Sequence, residues 1–340
     1  MQIQEQSAVT ANATSTLLTT NTYDLQGRLL RTEAVLNGDG KGEMEYEYDR
    51  LGQLSKRIYG QAACTESLTY TLQGWLSSRT SVPFSMHLRY QQPVQNSTTA
   101  AYTGNISEWE WTQGSGTPST YAIDYDVYGR FKGARSFTGN TLDNRNTEQG
   151  ISYDLNGNIK TLQRTGTTAT IVDNLVYTYT GNQLTALTEN AAPVSGDIYM
   201  RGNTAAGSYT YDADGNLLTD SRQGLNYQYN YLNLLRQVTS GNTLKAAYRY
   251  AYNGVKIGVK GADNRGYDYR GSFIYTRNGS SLTLESALFG GGRIVAGTNG
   301  YEVYYYLTDH LGSVRAVVDA GGNVKERNCL LYTSPSPRDV

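Results

Sequence analysis

The chain has 340 residues, with 29 basic and 30 acidic side chains and a formal net charge of −1. This balance gives no electrostatic footprint for nucleic acid or an anionic membrane, and no segment approaches the roughly 18 apolar residues of a membrane-spanning helix. Hydrophobic residues make up only 38% of the chain although 30 residues are tyrosine, so we expect half-buried aromatic surfaces in place of a thick aliphatic core.

The first 22 residues contain no complete repeat, and residues 1–20 lack the basic and apolar regions of a signal peptide. From residue 23 onward one motif recurs: Tyr-Asp, two variable residues, Gly, then Asn, Arg or Gln, with an apolar residue close behind. Full copies occur at Tyr23, Asp24 and Gly27; at Tyr48, Asp49 and Gly52; at Tyr125, Asp126 and Gly129; at Tyr153, Asp154 and Gly157; and at Tyr211, Asp212 and Gly215. Weaker copies begin at Tyr70, Tyr179 and Tyr229.

Each copy predicts a β-hairpin. Tyrosines spaced by two, as at Tyr209 and Tyr211, place both rings on one face of a strand. The aspartate opens a turn by accepting backbone N–H groups, and the glycine supplies a positive φ. Copies lie roughly 20 to 30 residues apart, a spacing typical of repeat architectures. A calcium-binding array would also repeat Asp and Gly, but one carboxylate per widely spaced copy favours a structural turn without a metal.

Several other segments have a functional and a structural interpretation. Trp109 and Trp111 form either a carbohydrate platform or, as we favour, a packing pair. The run of glycines at 290–292 before Arg293 resembles a phosphate loop, but no Lys-Ser or Lys-Thr follows it, which favours a turn. Residues 282–289 are the nearest approach to a helix, although a strand fits them equally well.

Near the end of the chain, Asp309, His310, Gly312 and Arg315 follow a tyrosine-rich strand. An Asp-His pair suggests acid–base chemistry or metal binding. The only other histidine is His87, which we expect to pack, so the sequence contains no zinc spacing. No nucleophile motif accompanies the pair. We therefore expect a structural turn capped by Asp309, with no catalytic, cofactor or metal site.

The Tyr-Asp-x-x-Gly copies resemble the YD repeats of RHS-type proteins over about residues 23–253, and the segment around Asp309 resembles the signature that introduces the RHS repeat-associated core. The resemblance implies an all-β fold in which repeat hairpins form a spiralling, curved, shell-like sheet. It also implies three segments: residues 1–22 are an irregular or partial repeat, residues 23–284 form the repeat sheet, and residues 285–328 are the start of the core.

The resemblance also implies a function. Shells of this family enclose a C-terminal segment of the same polypeptide, often a toxin, in bacterial secreted or surface proteins, and they are scaffolds. Related shells in animal adhesion receptors give the alternative, an adhesion or carbohydrate-binding module with glycans as partners. Neither interpretation includes nucleic acid, a membrane span or a cofactor. Bacterial members often cleave themselves downstream of the signature, but the Arg-Phe-Tyr-Asp-Pro continuation is not in this sequence, so no cleavage residue can be assigned.

Residues 329–340 differ in composition from the rest. Residues 329–339 resemble the translation of a transposase-type sequencing adapter, with a natural Pro/Ser-rich tail as the alternative. We therefore expect the natural sequence to stop near Asn328, inside the core. An unpaired strand edge is then expected near residues 304–328, where Tyr304 to Tyr306 would have met their next neighbour.

Overall fold

The computed structural model describes residues 1–10, 13–96, 98–192 and 206–328. All the regular secondary structure of these residues is β-strand, in 29 strands and without a helix. The all-β prediction is therefore confirmed, and residues 282–289 lie in a strand. Two runs that contain no full repeat, residues 1–10 and 13–22, are also largely in strands. No helix of the described ranges has the length and apolarity to span a membrane.

The strands follow one another closely, separated by short turns. The first eight are β1 Gln2–Thr10, β2 Ala13–Tyr23, β3 Leu29–Leu36, β4 Gly40–Tyr48, β5 Leu54–Tyr59, β6 Cys64–Tyr70, β7 Leu76–Thr80 and β8 Phe84–Arg89. The next twelve are β9 Glu108–Gln113, β10 Ser119–Tyr125, β11 Phe131–Thr138, β12 Thr141–Leu142, β13 Glu148–Tyr153, β14 Ile159–Thr165, β15 Ile171–Thr180, β16 Gln183–Glu189, β17 Ala206–Tyr211, β18 Leu217–Asp220, β19 Leu225–Tyr229 and β20 Leu235–Ser240. The last nine are β21 Thr243–Tyr250, β22 Lys256–Lys260, β23 Arg265–Arg270, β24 Phe273–Asn278, β25 Ser281–Phe289, β26 Gly292–Gly297, β27 Gly300–Thr308, β28 Val314–Asp319 and β29 Val324–Arg327.

Neighbouring strands pair antiparallel in sequence order, for example from β2 through β7 and from β22 through β29. Short hairpin turns allow only antiparallel neighbours, which explains this order. The strand that contains Tyr304 to Tyr306 is β27, and it pairs with both β26 and β28. The expectation that Tyr304 to Tyr306 would lie at an edge is therefore wrong, because the residues after them supply two further strands. The wider expectation of an edge within residues 304–328 stays a prediction.

A β-bulge lies beside the tyrosine of each repeat hairpin. In the first hairpin Thr22 pairs with Arg31 but Tyr23 pairs with Leu29, so that Leu30 is an extra residue. A bulge bends the strand and re-aims its side chains. The same shift accompanies Tyr48, Tyr70, Tyr125, Tyr153, Tyr211 and Tyr229.

The described residues pack into two compact units. One contains those of Met1–Met86, Gln113–Ser115 and the part from Tyr248 onward, and the other those of His87–Thr112 and Gly116–Ala247. These units do not follow the sequence-based boundaries at residues 22, 284 and 328, which stay predictions. Residues 329–340, assigned to an adapter, lie outside the described residues.

In the first unit, the core lies between β4 and the pair β26 and β27. Tyr305 is at its centre, where its ring meets the rings of Tyr59 and Phe289 edge-on, with centroids 6.0 and 5.8 Å apart. The Tyr305 hydroxyl accepts a hydrogen bond from the Glu43 amide at 3.2 Å. A Cβ on Gly42 would lie 2.7 Å from the Phe289 ring, so a glycine is needed for this close approach.

The second unit has an aliphatic core walled by aromatic rings. The buried residues are Ile151, Leu162, Leu175 and Leu187, and around them pack Phe131, Tyr153, Ile159, Tyr177 and Tyr209. The tyrosines are half-buried, as the composition predicts.

Candidate functional site

The repeat turns share one hydrogen-bond pattern. In the first, Asp24 Oδ1 accepts from the amides of Gln26 and Arg28, each at 2.9 Å, and Gly27 has a φ of +80°. In four other turns Oδ1 of the aspartate likewise accepts two backbone N–H groups, at Asp49, Asp126, Asp154 and Asp212. The glycines of these turns have φ between +77° and +87°, at Gly52, Gly129, Gly157 and Gly215. In the weaker copy that begins at Tyr229, Asn233 takes the glycine position with φ +57°, which asparagine tolerates better than most residues.

The residue after each glycine completes the turn. Arg28 and Arg130 donate through Nε to the second oxygen of their aspartates at 2.6 and 2.7 Å. Asn158 and Asn216 do so through Nδ2 at 2.9 Å. These contacts explain why Arg or Asn follows the glycine in these four turns. The hydrogen bonds from the Asn216 side chain and amide lower the pKa of Asp212.

Replacing Gly215 by valine is expected to lower the free energy of unfolding by about 1 kcal/mol or more, because a β-branched residue resists φ of +86°. Asp212→Ala is expected to destabilise as well, since two amides lose their acceptor. Urea denaturation of the two variants measures both effects. Unchanged midpoints would contradict the structural role of this turn.

The tyrosine hydroxyls join each repeat to the one before it. The Tyr48 hydroxyl donates to the Leu29 carbonyl at 3.0 Å, and the Tyr70 hydroxyl to the Leu54 carbonyl at 2.9 Å. In both cases the acceptor is the residue that begins the strand after the preceding turn. Equivalent bonds run from Tyr153 to Phe131 and from Tyr211 to Leu184. The Tyr125 hydroxyl donates instead to Ile106, in the segment before β9. A phenylalanine would fill the same space but would leave the carbonyl without this donor, which explains the abundance of tyrosine.

Tyr70→Phe is expected to lower the free energy of unfolding by about 0.5–1.5 kcal/mol, the usual net value of one partly buried hydrogen bond. Tyr252→Phe is the matched control, because Tyr252 is 91% exposed, and we expect no change from it. Thermal denaturation of both variants makes the comparison. Equal shifts would show that the Tyr70 hydroxyl is not a joint between repeats.

The segment around Asp309 forms the same kind of turn. Asp309 Oδ1 accepts from the Leu311 and Ser313 amides at 2.9 and 3.0 Å, and Gly312 has φ +85°. His310 occupies a variable position of this turn and is half-buried. Burial lowers the pKa of His310. The Asp309 carboxylate raises this pKa, whereas the Arg315 guanidinium lowers it. The lowered pKa favours the neutral imidazole.

Arg315 is the bulge residue of this hairpin. Leu307 pairs with Ala316 and Thr308 with Val314, which leaves Arg315 as the extra residue. Its counterparts in the repeat hairpins, such as Leu30, are exposed or half-exposed, but Arg315 is 2% exposed. Its Nη1 lies 3.7 Å from Asp309 Oδ2, and the guanidinium lies 5.5 Å from the centroid of the Phe84 ring.

A second buried ion pair adjoins the turn. Arg79 Nε and Nη2 donate to the two carboxylate oxygens of Glu66 at 2.9 and 2.8 Å, and both side chains are at most 6% exposed. Arg79 Nη1 donates to Thr308 Oγ1 and to the Asp309 carbonyl, each at 3.1 Å. The Tyr59 hydroxyl donates to Glu66 Oε2 at 3.3 Å. We call Glu66, Arg79, Asp309 and Arg315 the charged core.

The hydrogen bonds of the charged core are typical of a structural role. The Glu66 carboxylate and the capping oxygen of Asp309 each accept two or more hydrogen bonds. Among the described residues, no three His, Cys, Asp or Glu side chains converge as metal ligands. Sequence analysis missed Glu66 and Arg79. The available signal was an opposite-charge pair on the adjacent strands β6 and β7.

The remaining candidates have structural surroundings. The Trp109 and Trp111 rings lie 4.8 Å apart between centroids, and Tyr121 packs 5.0 Å from Trp111. Gly290 and Gly291 form the turn between β25 and β26. His87 lies in β8, where it is half-buried.

A family model described as Teneurin YD-shell matches residues 83–332. No curated protein matches the chain at a significant level. Among solved structures, the crystal structures of TcdB2-TccC3-Cdc42 and TcdB2-TccC3 each have a TM-score of 0.58, at 16% identity, over 92% of this chain. The chain spans 18% of the length of each matched chain. At this identity the likeness establishes a shared fold.

Proposed function

This chain belongs to the teneurin YD-shell family, and from that premise we propose that it is a non-enzymatic part of the wall of an RHS-type shell. In the complete protein the shell encloses a C-terminal segment of the same polypeptide, a toxin in the bacterial form. The protein is secreted or displayed at the cell surface. The residues of the repeat turns and of the charged core serve as structural joints and need no cofactor.

The observation that carries the proposal is the chain of tyrosine hydroxyls that tie successive repeats together. In four repeats the hairpin's tyrosine donates to the backbone of the preceding repeat, namely at Tyr48, Tyr70, Tyr153 and Tyr211. A structure built this way gains stability from contacts between neighbours and can extend into a wall. Enclosure requires such a continuous, hydrogen-bonded wall.

The burial and the hydrogen bonds of the charged groups support a role without catalysis. Glu66 is 0% exposed and bound by Arg79 and Tyr59. Asp309 is 1% exposed and its carboxylate caps a turn. A general acid or base must reach a substrate proton, and neither carboxylate is accessible.

Protection of the enclosed segment tests the proposal. A protease site placed in the C-terminal segment of the gene-complete protein is expected to resist cleavage, whereas the same site in the isolated segment is cut. Introducing Arg79→Ala into the complete protein loosens the wall and should restore cleavage. Equal cleavage with and without an intact shell would refute enclosure.

Two activity assays accompany this experiment. The chain is expected to hydrolyse no peptide, nucleic acid or glycan. Activity that His310→Ala abolishes would establish an enzyme. The adhesion alternative is favoured by the aromatic cluster of Trp109, Trp111 and Tyr121, because aromatic faces stack on sugars. Binding on a glycan array that Trp111→Ala removes would support that alternative.

A further inference from the structure

Two buried carboxyl groups meet on neighbouring strands of the second unit. Asp173 lies in β15 and Glu189 at the end of β16, and their side chains are 1% and 6% exposed. The two carboxyl groups are within hydrogen-bond reach of each other. Both also approach Arg222 Nη2, which lies 3.9 Å from Asp173 Oδ1 and 3.3 Å from Glu189 Oε2. We call Asp173 and Glu189 the acid pair.

The contact within the acid pair needs a proton. Two ionised carboxylates have only acceptor atoms, so a hydrogen bond between them requires that one of the two is protonated. Glu189 Oε1 accepts from the amides of Asn174 and Ala191 at 2.7 and 3.0 Å. Amide donors favour the ionised form of a carboxyl group, so they favour the charge on Glu189 and the proton on Asp173.

Two arginines oppose the charge of the acid pair. Arg164 of β14 places Nε 2.8 Å from Asp173 Oδ2, but its side chain is 32% exposed. Arg222, in the turn after β18, is 19% exposed. Burial raises the pKa of Asp173, the two guanidiniums lower it and the Glu189 carboxylate raises it, and the net direction is upward. The cations retain contact with water while the carboxyl groups do not, which limits what the cations offset.

Three further ionisable groups face this cluster. Tyr177 of β15 and Tyr209 of β17 lie near the arginines, and burial raises the pKa of both hydroxyls, so that they are neutral wherever a carboxyl group titrates. Asp220, at the end of β18, accepts the amides of Arg222 and Gln223 at 2.9 and 3.1 Å. It thereby holds the turn from which the Arg222 side chain reaches the acid pair.

We propose that the acid pair is a proton-binding site, in which one proton held between the two carboxyl groups stabilises the second unit. The inference does not depend on what the shell encloses. Loss of the proton leaves two like charges in contact and out of water, which is unfavourable. The pair also joins elements, because Arg222 connects the turn after β18 to β15 and β16.

Asp268 of the first unit shows how two arginines act on a single buried acid. Arg249 Nη2 and Arg277 Nη2 lie 2.8 and 2.6 Å from Asp268 Oδ2. Burial opposes ionisation here as well, but the hydrogen bonds from Arg277 and Arg249 outweigh it and lower the pKa of Asp268. Asp173 also has two arginines beside it, and the direction is reversed. The difference between the two sites is the second carboxyl group.

The sign of the pH dependence follows from which state binds the proton. Above about pH 5 both carboxyl groups are largely ionised in the unfolded chain. The folded chain keeps one proton on the acid pair until the pH passes the raised pKa of Asp173. The pair therefore contributes stability that is lost as the pH rises. The unfolding equilibrium constant rises roughly tenfold for each pH unit over which the two states differ by one proton.

Urea denaturation of the full chain at intervals between about pH 5 and about pH 8 tests the proposal. Asp173→Asn replaces the protonated carboxyl group by a neutral amide that can still donate to Glu189. Relative to the unmodified chain, this variant should gain stability as the pH rises, by roughly tenfold or more in the unfolding equilibrium constant. Glu189→Gln keeps an oxygen for the two amides and should gain in the same direction.

Asp268→Asn is the matched control, because Asp268 is also buried between two arginines. This variant should be less stable than the unmodified chain by an amount that does not change over the same range, since Asp268 is ionised in both states there. If the two acid-pair variants behave like this control, or lose stability as the pH rises, no proton is held and the proposal is overturned. If Asp173→Asn does not fold, the Glu189→Gln series decides by the same criterion.

Discussion

Replacing Arg79 by alanine is expected to lower the free energy of unfolding by about 3–5 kcal/mol, because it removes the buried cation that is hydrogen-bonded to both oxygens of the buried Glu66 carboxylate. Glu66 is 0% exposed and depends on Arg79 for two hydrogen bonds. The variant also loses the donors to Thr308 and to the Asp309 carbonyl. Urea denaturation, with the midpoint and the slope fitted separately, measures the loss.

Arg57→Ala is the matched control for this prediction. Arg57 Nη1 lies 3.6 Å from the same carboxylate, but its side chain is 30% exposed. A pair of this kind contributes up to about 1 kcal/mol. The double variant Glu66→Gln, Arg79→Met should lose less stability than Arg79→Ala, because no charge is left buried and unpaired. A loss at Arg79 no larger than that at Arg57 would contradict the assignment of a buried pair.

Asp309→Ala is expected to cost about 3 kcal/mol. The change removes the acceptor of two turn amides and also the carboxylate opposite the buried Arg315 guanidinium. Asp309→Asn separates the two contributions, since an amide oxygen can still accept the backbone N–H groups but carries no charge. We expect the asparagine variant to retain the turn and to lose most of the ion-pair contribution.

Asp319 provides the comparison within the same chain. It accepts the Gly321 and Asn323 amides at 2.9 Å, as Asp309 accepts its own. Its charge partner is the half-exposed Lys325 at 3.0 Å. Hydrogen bonds from Lys325 and Asn323 outweigh the opposing effect of burial and lower the pKa of Asp319 to about 2. Asp319→Ala should cost about 1 kcal/mol. Equal losses at the two aspartates would show that the Arg315 pair contributes nothing beyond the turn.

Local patterns predict local structure well in this protein. The alternation of tyrosines and the Asp-x-x-Gly spacing predict strands and turns, because the hydrogen bonds that define each turn join residues at most four positions apart. The signature at Asp309 follows the same rule. The burial of Arg315, however, could not be predicted from the motif. Arg315 lies at a bulge, and the same bulge occurs in repeat hairpins where the equivalent residue is exposed.

Contacts between distant residues could not be predicted in the same way. Arg79 and the Asp309 carbonyl are 230 positions apart, and the Glu43 amide meets the Tyr305 hydroxyl across 262 positions. No periodicity or spacing encodes such pairs, since they depend on which strand faces which across the core.

The sequence by itself therefore determined the all-β class, the positions of the repeat turns and the membership of a repeat family, since these depend on interactions within single hairpins. Only the tertiary structure decided that Glu66 and Arg79 form a buried pair, that tyrosine hydroxyls join successive repeats, and that Tyr304 to Tyr306 lie inside the sheet. The physical reason is the separation along the chain of the residues that interact. Turn chemistry is fixed within a few residues, whereas burial and ion pairing depend on the register of strands that are far apart in the chain.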